Sequence, residues 1–123
     1  MEIKKVVKEG KVAVLVSKGW GAGFTTWTTN WNPEDKNCLQ QLFDPTLVEM
    51  CKQLQSLKFF DRDRTGLLDQ MLEYIQKTYP KAFVGGIEDL EVEWVPEGSL
   101  FRVNEYDGKE EVEYFEQTKW IKA

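Results

Sequence analysis

Three glycines at alternate positions, Gly19, Gly21 and Gly23, enclose Trp20 and Ala22, and Thr25 and Thr26 follow directly after Phe24. Glycine lets the backbone take positive φ and lets a ligand approach main-chain N–H groups closely. Successive N–H groups in such a turn can form an anion-binding nest. The expected chemistry is the non-covalent grip of a small anionic ligand, such as a cyclic or modified nucleotide. The N–H groups of Gly21, Ala22 and Gly23 and the hydroxyls of Thr25 and Thr26 would hold phosphate, with Lys18 or Arg102 balancing its charge. Trp20, set between glycines, is hard to clamp in a core, and an open indole stacks on a base for roughly 1–3 kcal/mol. The G-x-G-x-G spacing is not a dinucleotide fingerprint, because threonines and tryptophans stand where a helix should begin. Nor is it a P-loop, since no Gly-Lys-Ser/Thr follows.

Other constellations carry less chemistry. The chain contains no histidine, which removes the usual general base and the commonest metal ligand. Cys38 and Cys51 lie outside any metal-ligand spacing and read as reduced thiols. Arg62 and Arg64 flank Asp63 and could fork onto a phosphate, though helix-end charge with local Asp–Arg pairs explains them as well. Glu91 with Glu93, and Glu111 with Glu113, are carboxylate pairs of the kind that binds divalent ions or performs acid–base work. Their alternation with apolar residues is equally that of a solvated sheet face. A carboxylate-based hydrolase is therefore a third reading. No catalytic residue, metal ligand or cofactor is assigned.

Charge is spread unevenly around a net −5. Residues 1–18 hold five Lys against two Glu, and residues 87–123 hold four bases against eleven acids. A duplex nucleic-acid binder should show a basic patch, so duplex nucleic acid is not the expected partner. The acidic segment suits a second function class, a protein–protein inhibitor of a host factor with Trp20 and Phe24 as anchors. No apolar run approaches the roughly 20 residues that span a bilayer, and "MEIKKVVKEGK" does not read as a signal peptide. Sites of the proposed kind are often completed across a subunit interface, so a homo-oligomer is expected, most simply a two-fold dimer.

The elements that must position these residues form one α+β domain over 1–123. Residues 2–7 and 11–17 read as strands joined at Glu9-Gly10, and the unbroken apolar run of "KVAVLVS" predicts a strand covered on both faces. "FTTWTTNW", residues 24–31, alternates Thr with Trp and predicts a strand, with Trp27 and Trp31 in the core. "NPEDKN" is a loop. Asp44-Pro45 starts a helix over about 45–57, and a second helix runs from about 66 to 79, capped by Asp61 or Asp63 and stopped by Pro80. "AFVGG" suggests a short strand. "LEVEWV", "LFRVNEY" and "KEEVEYF" predict an antiparallel meander with turns at "PEGS" and "DG". Leu90, Val92 and Trp94 face inward, and Trp120 and Ile121 pin the C-terminus to the body.

With loop and meander both in view, "VAVLVSKGWGAGFTTW", "FDP" and "FVGGIEDLEVEWVPEGSLFRVNEYDGKEEVE" resemble a family of small uncharacterised proteins of tailed bacteriophages. The resemblance covers most of the chain. Residues 32–42 and "LQSLKFFDRDRT" look like places where members differ. It implies a phage product acting in the bacterial cytoplasm. Small phage proteins of this kind often blunt host defence, by sequestering a nucleotide second messenger or by capping a host protein.

Overall fold

The computed structural model describes residues 3–57 and 62–115. Three strands form one antiparallel sheet in the order β1 (Val7–Lys8), β2 (Lys11–Ser17), β3 (Leu90–Pro96). The register places Lys11 opposite Pro96 and Ser17 opposite Leu90. β4 (Phe101–Tyr106) and β5 (Lys109–Tyr114) form a separate two-stranded sheet. The expected α+β architecture is present, but β3 pairs back with β2 while β4 and β5 make a hairpin of their own.

β2 lies in the middle layer of the molecule. Its Ala13 and Leu15 face a cluster containing Leu47, Cys51, Met71 and Ile75, and its Val12, Val14 and Val16 face Leu42, Phe43, Phe101 and Val112. All five apolar residues, 12 to 16, are buried, which explains the unbroken apolar run: neither face meets water. Leu15 and each of the three valines contribute roughly 1.5–3 kcal/mol on burial.

Helices supply the rest of the core. α1 (Lys36–Phe43) is started by Asp35, whose side chain accepts from the N–H groups of Asn37 (2.8 Å) and Cys38 (3.2 Å). Asp44 ends it. A residue before proline is pushed out of the helical region, and Asp44 has φ −52° and ψ 116°. The chain bends there and restarts as α2 (Pro45–Ser56), with the Asp44 carboxylate accepting from Leu47 N–H at 3.0 Å. α3 (Arg62–Thr78) buries Leu67, Met71 and Ile75 at four-residue spacing. The helix after Asp44-Pro45 thus stands as expected, whereas α1 falls partly where a loop was expected and α3 starts one turn early. The Trp120–Ile121 anchor and an Asp61 cap lie outside the described residues.

Two expected strands are corrected. Residues 24–31 hold a 3-10 turn, Thr25–Trp27, and no strand. Phe24, Thr25 and Thr28 are the buried members, a spacing that fits a helical turn and not two-residue alternation. Trp27 and Trp31 are half-buried. "AFVGG" likewise forms no strand; it leads into a 3-10 turn at Ile87–Asp89. β1 is also shorter than residues 2–7 suggested.

Asp44 has a second role. Its other carboxylate oxygen accepts the hydroxyl of Tyr74 at 2.9 Å and that of Tyr79, both from the C-terminal half of α3 and just beyond it. Burial, and then the Asp44 carboxylate, push the Tyr79 phenol well above its usual range. Burial alone pushes the Cys51 thiol from 9.0 up to about 12. A raised acid is held neutral by the fold. Its stabilisation is complete below the unfolded value and drains away as pH climbs toward the folded one. Stability should hold to about pH 9 and then fall, Cys51 alone accounting for up to about 4 kcal/mol by pH 12. Urea midpoints across pH 7–12 check this: Cys51→Ala should flatten the decline above pH 9, and Tyr79→Phe its part above pH 10.

Candidate functional site

The glycine run follows β2 and bends back over the tip of the β4–β5 hairpin. Asp107 and Gly108 form that tip with φ 48° and 88°, both positive, as a two-residue turn that matches strand twist requires. The N–H of Gly21 donates to the carbonyl of Asp107 at 2.5 Å. Gly108 presses directly on the run: a Cβ there would lie 2.2 Å from the nitrogen of Ala22. The loop is docked on the hairpin and does not stand free.

A glutamate from β5 completes the dock. Glu110 is fully buried. One carboxylate oxygen accepts the N–H of Ser17 at 2.8 Å. The other accepts the N–H of Thr26 at 2.9 Å and the Thr26 hydroxyl at 2.5 Å. A buried carboxylate is costly unless hydrogen bonds satisfy its lone pairs, and here both oxygens are engaged. Ser17 also donates its hydroxyl to the Ala22 carbonyl at 2.9 Å. The end of β2, the glycine run and the 3-10 turn are thereby tied to one another and to β5.

The expected ligand residues scatter under this arrangement. Lys18 is ion-paired with Glu93 at 2.6 Å. It shares a cleft of about 270 Å³ with Arg64 and with Glu88, Asp89 and Glu91; three carboxylates around two bases do not favour an anion. The Gly21 N–H is bonded to Asp107, Ala22 is half-buried and Gly23 buried. Thr25 is fully enclosed with its hydroxyl oxygen unpartnered, and Thr26 is committed to Glu110. Arg102 stands at the far end of β4 from Asp107, five residues or roughly 16 Å away, ion-paired with Glu113 at 3.0 Å. Phe24, expected as an exposed anchor, is 0% exposed and belongs to the helix-side core; it cannot meet a partner. Arg62 and Arg64 lie in the first turn of α3.

Trp20 is different. It is 63% exposed, and Tyr106, at the end of β4, is 76% exposed. Their rings meet edge to face at a centroid distance of 6.0 Å, and the Lys109 ammonium lies 5.2 Å above the indole. Edge-to-face pairs at this separation are favourable, so the two rings hold each other upright in solvent. Behind them Trp27 packs edge-on against Phe83 at 5.0 Å and donates its indole N–H to Glu105 at 2.8 Å. The outer face of the hairpin continues with Arg102, Asn104, Glu111 and Glu113, all exposed.

Sequence reasoning missed the roles of Glu110 and Tyr106, and read Gly108 as a hairpin turn without its docking on the glycine run. Glu110 shares parity with Val112, which packs inward, so its direction could have been read from the strand pattern. Comparison with known proteins adds nothing to the geometry: no family model matches the chain, and neither the curated proteins nor the solved structures contain a match.

Proposed function

We propose that this is a non-enzymatic binding protein that presents the Trp20–Tyr106 pair to a basic surface of another protein. The observation that carries the reading is the exposure of two large aromatic rings, 63% and 76%, on a loop and hairpin tip that are otherwise fastened down. Held rings lose little conformational freedom on binding, and Trp and Tyr dominate interface hot spots. Charge points to the sign of the partner. Tyr106 belongs to the segment with eleven acids against four bases, and Asp107 follows it directly, while Glu111 is paired with Lys109 at 3.6 Å; the acidic excess of the segment would steer a basic surface toward the pair. Lys109 already holds an ammonium over the indole, and a partner's lysine or arginine would meet a ring by the same attraction. The resemblance to tailed-phage proteins makes a bacterial host protein the natural partner.

The small-anion reading relies on the same indole, but two of the donors it needs, the Gly21 N–H and the Thr26 hydroxyl, are occupied within the chain. Capture from bacterial lysate with wild type and Trp20→Ala separates the two. A stoichiometric partner should be retained at low salt and lost as salt rises. Trp20→Ala should weaken it by about thirtyfold, the effect of a hot spot worth about 2 kcal/mol, with thermal stability lowered only by the loss of the Tyr106 and Lys109 contacts, about 1 kcal/mol. Equal capture by both proteins, or saturable quenching of Trp fluorescence by a nucleotide panel, would turn the reading down.

A further inference from the structure

We propose that the stretch from Ser17 to Thr26 is a carboxylate receptor whose resident ligand is the side chain of Glu110. The donors and the acceptor belong to different parts of the fold. Ser17 closes β2 and Thr26 lies in the 3-10 turn, both in the body; Glu110 comes from the separate β4–β5 sheet, reached from β3 through the turn at residues 97–100. The donor set has the shape of a planar, two-oxygen anion. Ser17 N–H addresses one oxygen at 2.8 Å, and Thr26 N–H and hydroxyl address the other at 2.9 and 2.5 Å. Glu110 is 0% exposed, so these bonds form away from water, where a carboxylate held by peptide N–H groups is strongly favoured over an unbound one. Backbone capture of a carboxylate is an established recognition mode, and here the chain supplies its own.

This explains why the Ser17 and Thr26 donors of the run are closed to a phosphate. The class of ligand is a carboxylate, a side chain or a chain terminus. In the intact protein a free carboxylate competes poorly, because the tethered Glu110 has a high effective concentration. Removing the carboxylate from residue 110 should leave the donors pointing into a space that formate or acetate enters. The inference is independent of the Trp20–Tyr106 reading, since it concerns the inner face of the hairpin and uses no partner.

The test is thermal unfolding of Glu110→Ala in sodium formate or acetate against sodium chloride at matched ionic strength, with wild type in parallel. Formate and acetate should raise the midpoint saturably, following the ordinary linkage of a ligand that binds only the folded state; chloride should not, and wild type should show no saturable rise. Adding Thr26→Val to Glu110→Ala should weaken the response, because it removes the hydroxyl and leaves the two peptide donors. Amide resonances of Ser17 and Thr26 should move on removal of the carboxylate and return with formate. Identical midpoints in formate and chloride, with both amides unmoved by formate, would overturn the proposal. Should Glu110→Ala be unfolded in chloride, recovery of native circular dichroism in formate supports it, and failure to recover at any formate concentration overturns it.

Discussion

Replacing Asp44 with alanine is expected to cost about 4 kcal/mol, a large part of the roughly 5–15 kcal/mol available to a domain of this kind. The residue is buried and does three things. It stops α1 because it precedes Pro45. It caps α2 through Leu47 N–H at 3.0 Å, a contact worth about 0.5–2 kcal/mol. It also receives the hydroxyls of Tyr74 and Tyr79, and hydrogen bonds to a charged group are worth roughly 1.5–3 kcal/mol each. Alanine keeps the pre-proline stop but removes the cap and leaves two phenol groups without their acceptor. Asp44→Asn keeps a competent cap but offers a single carbonyl oxygen, so a loss of about 1–2 kcal/mol is expected. Urea denaturation of the two variants measures the difference. Equal stability of Asp44→Ala and wild type would show that the bend between α1 and α2 is held by something else.

Gly108→Ala is the second large effect. Two separate costs apply. At φ 88° an alanine is strained by about 1–2 kcal/mol. Its Cβ would also stand 2.2 Å from Ala22 N, 2.8 Å from Gly21 C and 2.9 Å from Ala22 C, backbone atoms that cannot swing aside. The hairpin tip must then lift from the glycine run or the run must shift. Gly98 provides the control: its φ is 83°, yet a Cβ there meets nothing within 4 Å. Gly98→Ala should cost only about 1–2 kcal/mol of strain, whereas Gly108→Ala should cost about 3 kcal/mol or more once overpacking is added. It should also change the environment of Trp20, because Gly21 and Asp107 lose their contact. Two variants of equal stability would mean that loop and hairpin are not locked together.

The sequence was most legible where short-range physical rules met no competing rule. Asp44-Pro45 fixed a helix start because an Asp cap and a proline at the first helical position agree. β2 was legible because a strand covered on both faces has no reason to alternate. The hairpin turn at Asp107-Gly108 was legible because few dipeptides accept two positive φ angles. The threonine–tryptophan run failed because alternation of residue type was taken for alternation of burial. Thr25 and Thr28 are buried while Thr29 is exposed, a choice made by the surrounding core and not by the residues themselves. α1 was missed because its signal is modest: a capping Asp35 followed by Cys38 and Leu42 on one side, inside a stretch crowded with turn residues. The docking of Gly108 on Ala22, and of Glu110 beneath Ser17 and Thr26, joins positions more than eighty residues apart. Local pattern contains no term for it. The exposed indole at Trp20 was anticipated, since flanking glycines give a ring little to pack against, but its companion, Tyr106, was not.

A photoreactive amino acid at position 20 puts the central claim to the most direct test. With p-benzoylphenylalanine there, irradiation in a bacterial lysate should give one protein adduct, weakened by salt, while the same group at exposed Gln70 on α3 should not yield that adduct. No adduct from position 20, or the same adducts from both positions, would contradict the assignment of the Trp20–Tyr106 pair as a protein-docking surface.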